Sequence, residues 1–267
     1  MVFQFMFQNA KRFNSDISNW DVSNVREMTS MFLHAEAFDQ PITYWDVRQV
    51  TTMHSMFAHA HSFDQPIGYW DTSRVRDMQA MFYEARNFDQ PIGDWDTSSV
   101  MDMRNMFERT VRFNRNINYW DVSHVVDMSF MFARAASFNQ HLYFWKTSNV
   151  FDMSYMFLGA HAFNGHLNDW DVLHVLSTRS MFNSAPSFNQ DLCRWNLSNV
   201  QDMSSMFYGA SSYNQNLCYW ADSVPPAGVT VSGMFTGTAC PETSDPVVSG
   251  GWGDSSWCQE CRPQDTH

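Results

Sequence analysis

Four groups of residues in this sequence have types and spacings that could do chemistry. The first is a column that recurs every 25 residues, one position before a Trp: Asn19, Tyr44, Tyr69, Asp94, Tyr119, Phe144, Asp169, Arg194 and Tyr219. Exposed aromatics and arginine are strong contact residues. Tyr44, Tyr69, Tyr119, Phe144, Arg194 and Tyr219 therefore form a candidate recognition stripe for a protein or glycan. The competing reading is a self-stacking ladder that only stabilises the fold.

The second group is acidic. One column holds Glu27, Asp77, Asp102, Asp127, Asp152 and Asp202, and another holds Asp21, Asp46, Asp71, Asp96, Asp121 and Asp171. Stacked carboxylates could bind calcium, but the glycine-rich calcium-binding nonapeptide is absent. Helix capping and turn formation account for both columns without metal.

The third group is histidine. His34 and His59 share a column, as do His141 and His166. No third ligand column accompanies either pair, so solvated surface residues are expected and no metal or cofactor is predicted. The fourth group is cysteine. Cys193 and Cys218 lie one period apart, where stacked units would bring them within disulfide reach. Cys240, Cys258 and Cys261 fall in or near the tail, where a disulfide from Cys240 to one of the other two is expected. The lone CxxC at 258–261 is weak evidence for zinc or redox chemistry.

The element that must position these residues is a repeat. Trp falls at 20, 45, 70, 95, 120, 145, 170, 195 and 220, and the Met-Phe pair at 31–32 returns with the same period through 206–207. An aromatic precedes each Trp by seven residues, from Phe13 to Tyr213. Ile or Leu precedes it by three, from Ile17 to Leu217.

Within one unit, Val25, Met28, Met31, Phe32 and Ala35 have the spacing of one helix face. Asn24 with Glu27, Ser99 with Asp102, Asn149 with Asp152 and Asn199 with Asp202 read as capping boxes. Asp16-Ile17-Ser18 suits a short strand. The expected fold class is therefore α/β: a right-handed, leucine-rich-repeat-like solenoid of about nine coils, with a short parallel strand and a short helix in each 25-residue repeat. One unit buries too little apolar surface to offset its ordering entropy, so neighbours must cover both of its flat faces.

The phrase at residues 13–38, FNSDISNWDVSNVREMTSMFLHAEAF, resembles the BspA-type leucine-rich repeat of surface proteins, and the likeness runs from residue 2 to about 235. The resemblance implies a curved repeat array with a surface or adhesive role, and no catalytic site. Lys146 and Asn196 depart from the usual Asp after Trp, and Leu173 and Thr178 make the seventh unit irregular. That coil is expected to be the loosest.

The repeat domain is taken as residues 1–240, with an incomplete first and a divergent last repeat, and 241–267 as a C-terminal cap or tail. Val2, Phe3, Met6 and Phe7 belong mid-unit, so missing upstream sequence or an associating end is expected. Pro225-Pro226 and the tail, with Trp252 and Trp257, would cover the last coil.

With 28 acidic against 16 basic residues and a net charge of −12, a nucleic-acid partner is disfavoured. The same charge disfavours an anionic membrane surface, and no apolar stretch is long enough to cross a membrane. No signal peptide, nucleophile motif or glycine-rich phosphate loop is found. The functional expectation is a non-enzymatic scaffold, extracellular or on the cell surface, binding protein or glycan. The alternative is a structural spacer without a fixed ligand.

Overall fold

Two residues per unit decide the local path of the chain. In the computed structural model, which describes residues 1–225, 227–247 and 257–259, Ser30 and His34 have φ of 53° and 60°. The pair recurs at Ser55 and His59, Ala80 and Glu84, Asn105 and Arg109, Phe130 and Arg134, Tyr155 and Gly159, Ser180 and Ser184, and Ser205 and Gly209. An α-helix does not tolerate a left-handed residue at every fourth position.

Each left-handed residue is instead the third residue of a tight turn. The Met31 N–H donates to the Met28 carbonyl at 3.2 Å, and the Ala35 N–H to the Phe32 carbonyl at 2.9 Å. The amides between these cross to the next coil. Ser30 donates to the His54 carbonyl at 2.8 Å, Phe32 to Met56 at 2.9 Å and His34 to Ala58 at 2.9 Å. Alternate N–H groups thus close turns and join neighbours, which satisfies the backbone without long helix or strand.

The expected α/β unit of short strand plus short helix is therefore overturned. Among the described residues, the only helix is a 3-10 turn at Cys218–Asp222. Extended pairing is limited to single-residue parallel bridges from Val2 to Glu27, then Thr52, Asp77, Asp102, Asp127, Asp152, Ser177, Asp202 and Thr230. The bridges fall on the acidic column and not at Ile17. The reason is geometric. A chain that turns every three residues sends the same positions inward as a helix does, so apolar spacing cannot separate the two.

The units nevertheless stack in register, one period apart. The last step, Asp202 to Thr230, absorbs the three extra residues of the final unit. Like side chains consequently form files. Phe32, Phe57, Phe82 and Phe107 stack 5.5–5.8 Å apart with nearly parallel rings. A second file, Phe38, Phe63, Phe88 and Phe113, runs beside it at 5.9–6.0 Å. Within a coil the two files meet at 3.9 Å, as in Phe57 with Phe63. Aromatic pairs stabilise beyond the area they bury.

Eight indoles, Trp45 through Trp220, are at most 4% exposed. The indole N–H of each donates to the Ile or Leu carbonyl 28 residues earlier: Trp45 to Ile17 at 3.2 Å, Trp120 to Ile92 at 3.0 Å and Trp220 to Leu192 at 3.0 Å, with the other five alike. That carbonyl also receives the amide of its own coil's Trp, as in Trp20 to Ile17 at 3.1 Å. A buried Trp is thereby fully partnered and ties two coils together. Trp20, in the first coil, is 38% exposed.

Beyond the last coil, Asp245 accepts from the Gly233 and Met234 amides at 2.9 Å each. Trp257 is fully buried and meets Trp220 edge-on at 6.1 Å. Pro226, Trp252 and Cys261 lie outside the described residues. The irregular seventh coil holds Thr178 fully buried, with a hydroxyl that has no hydrogen-bond partner among the described residues. In its column, regular units bury a Met.

Candidate functional site: an exposed column beside the tryptophans

The turn that buries each Trp projects the preceding side chain outward. All nine residues of the pre-Trp column are exposed. Tyr44 is 95% exposed, Tyr69 87% and Tyr119 72%. The column is not uniform, and the structure divides it into parts. Tyr44 and Tyr69 make no ring pair among the described residues, so they are not rungs of an aromatic ladder. Tyr119 and Phe144 pack at 5.4 Å, and Tyr143 closes on Phe144 edge-on at 4.3 Å. Asp169 and Arg194 form an exposed ion pair at 2.9 Å, which contributes little stability in water. Tyr219 sits on the 3-10 turn, away from that cluster in sequence.

Sequence reasoning missed Tyr143, because it occupies a neighbouring column in which other units carry Ser, Thr, Gly, Asn or Cys. With Phe144, Lys146, Asp169 and Asp171 it lines an open depression of about 370 Å³. Tyr119, Asp121, Phe144 and Lys146 line an adjoining depression of about 160 Å³. Apolar ring faces flanked by a cation and carboxylates are suited to a ligand with both apolar and hydroxyl or charged groups.

The acidic columns have a local structural role. Asp77, Asp102, Asp127, Asp152 and Asp202 each accept the backbone N–H two residues on, at 2.7–3.0 Å. Asp21, Asp71, Asp96 and Asp121 do the same at 2.9–3.1 Å. These are Asx turns, so the capping-box reading falls with the helices. Hydrogen bonds from Ser73 and Ser123 hold the Asp71 and Asp121 carboxyls below the usual range.

A further polar column went unread. Asn14, Asp39, Asp64, Asp89, Asn114, Asn139, Asn164 and Asn189 each accept, through Oδ1, the amide of their counterpart one coil later at 2.8–3.0 Å. Gln side chains one position on reinforce it, as in Gln140 to Asn114 at 2.9 Å. The repeated Phe-Asn/Asp-Gln triplet was its signal.

The cysteines do not pair as the columns suggested. Cys193 is free, and its thiol donates to Asp191 at 3.2 Å. Cys218 is disulfide-bonded, though not to Cys193. Cys240 and Cys258 form a disulfide, with Cα atoms 4.8 Å apart, which agrees with the expected tail pairing. The stacked histidines differ from each other: His141 and His166 are exposed at 5.1 Å, whereas His34 and His59 are half-buried at 4.0 Å.

Fold and site together define a repeat protein made of stacked turns, with a varied side-chain column on its outside. The family follows from the sequence match. The chain belongs to the family described as "Mycoplasma protein of unknown function, DUF285", whose model matches residues 1–86, 62–149 and 141–243. No curated protein matches the chain. Among solved structures, a chain of the TLR13–ssRNA13 complex is similar over 80% of this chain and 36% of its own length, at 8% identity and a TM-score of 0.26. A likeness that faint carries no argument about fold or ligand. No helix among the described residues is long and apolar enough to cross a membrane.

Proposed function

We propose that this chain is a non-enzymatic repeat scaffold that binds a protein or glycan ligand through the pre-Trp column, with Tyr119, Tyr143 and Phe144 as its centre. The observation that carries the reading is the exposure of Tyr44, Tyr69 and Tyr119 at 72–95%. Large aromatics held so far into water contribute little to the fold, and they are the side chains that dominate binding energy when covered. The rings and charges around Phe144 supply the densest patch. Placement outside the cell or on its surface is supported by the Cys240–Cys258 disulfide and by the BspA-type resemblance of residues 13–38.

The test is a glycan array and cell-surface binding assay with the full chain. Tyr119→Ser combined with Phe144→Ser should abolish binding while the melting temperature holds. Unaltered binding in that variant overturns the site. A wild-type chain that binds nothing returns the function to the spacer reading, which the uniform ring files along the whole stack favour.

A further inference from the structure

Away from the aromatic column, a separate cluster joins two neighbouring coils. His59 and Glu84 occupy successive positions of the left-handed column, one coil apart. His61 reaches the same point from two residues on. His59 Nδ1 lies 3.5 Å from Glu84 Oε2, and His61 Nε2 lies 4.0 Å from the same oxygen. The three ligand atoms all fall within 4.8 Å of one another. Glu84 is 7% exposed. His61 Nε2 is buried and has no hydrogen-bond partner among the described residues.

We propose that His59, His61 and Glu84 bind a divalent transition-metal ion of the zinc type, one per chain. Separations of 3.5–4.0 Å are too long for hydrogen bonds to be the purpose of the arrangement. Donors each about 2.0–2.2 Å from one ion lie only slightly closer to each other than these atoms do. Two imidazoles and a carboxylate suit zinc-like ions, and water completes the coordination.

Burial of the two rings, then the neighbouring His34 and Arg86 charges, hold His59 and His61 below the ordinary histidine range, so both are neutral ligands at pH 7. Burial alone would push the Glu84 carboxyl up, but hydrogen bonds from Arg86 and Arg109 outweigh it and keep the group ionised. Arg109 binds the far oxygen, Oε1, at 2.5 Å and orients the carboxylate. Arg86 binds Oε2 at 2.9 Å and competes for the ligand position. Its side chain is largely exposed and free to swing aside. An ion here would staple the coil of His59 to that of Glu84.

Equilibrium dialysis of the full chain against ZnCl2 tests this, with the Co2+ visible spectrum as the second readout. One ion per chain is expected. His61→Ala should weaken binding at least about tenfold and remove the cobalt bands. Arg86→Gln should tighten it, because it releases Oε2. His141→Ala, on the exposed histidine pair, should change nothing. Binding that persists in folded His61→Ala, or that is lost in His141→Ala instead, overturns the site, as does a wild-type chain with no stoichiometric ion. Should His61→Ala fail to fold, Arg86→Gln decides: affinity that does not rise overturns the proposal.

Discussion

Tyr119 and Trp120 are neighbours in the chain and opposites in the structure: one is 72% exposed, the other 2%. The same contrast repeats along the stack, between a column that varies from unit to unit and one that never does. Inside, each Trp must fit between two coils and donate to a fixed carbonyl, so one residue type serves. Outside, the stack demands no fixed partner of the side chain, and Tyr, Phe, Asp, Asn and Arg all occur. The lesson is that uniform columns report the architecture, while varied exposed columns are where recognition has room to differ.

The contrast can be broken from the inside. Trp120→Ala should destabilise by about 3–5 kcal/mol, from lost burial and the loss of its hydrogen bond to the Ile92 carbonyl, which keeps only the Trp95 amide. Tyr119→Ala should stay within about 0.5 kcal/mol of wild type. Urea titration of both variants measures the difference, and similar values would show that inside and outside are not distinct energetically. Next in size among the losses is the Asx ladder. Asn139→Leu leaves the Asn164 amide without its acceptor at 2.8 Å and, because water can reach the exposed amide, should lose about 0.5–1.5 kcal/mol. Asn139→Asp keeps the acceptor, as Asp39, Asp64 and Asp89 do in their own coils, and should be nearly neutral by the same titration.

Two substitutions sharpen the comparison by gaining stability. Thr178→Met restores the residue that regular units bury and removes an unpartnered hydroxyl. An increase of about 0.5–2 kcal/mol in urea is expected. The smallest effect concerns Asp127. Burial raises its carboxyl above the usual range, Asp152 adds to this, and Ser129 and Arg104 only partly oppose it. A raised acid favours the folded state when protonated, so its contribution is present at low pH and lost as pH rises through the folded value. Asp127→Asn keeps the acceptor for the Ser129 amide. It should melt slightly higher than wild type at pH 7, and the gap should close on acidification below the carboxylate range. A gap that widens in acid would reverse the sign of the argument.

Much of this was legible from spacing. The Trp, Phe and Met files, the register of the coils and the outward column were all readable, because a period of 25 puts like residues on top of one another. The aromatic cluster was half readable, since Tyr119 and Phe144 share a column but Tyr143 does not. The His59, His61 and Glu84 cluster was only partly readable: His59 and Glu84 follow one another in a single column, while His61 comes from a different one. Attention to imidazoles alone stops at His34 and His59, one period short of Glu84 in the same column.

The sequence by itself determined that the units repeat, that they stack one period apart and which side chains face inward, because apolar periodicity records burial. Only the tertiary structure decided the backbone path. Tight turns with a left-handed third residue bury the same positions as a helix would, and their preference for Gly or Asn is weak enough here that Ser, His, Glu, Arg and even Phe and Tyr occupy those sites. What makes these φ values tolerable is the hydrogen bond each such amide forms with the next coil, and no single unit contains that bond.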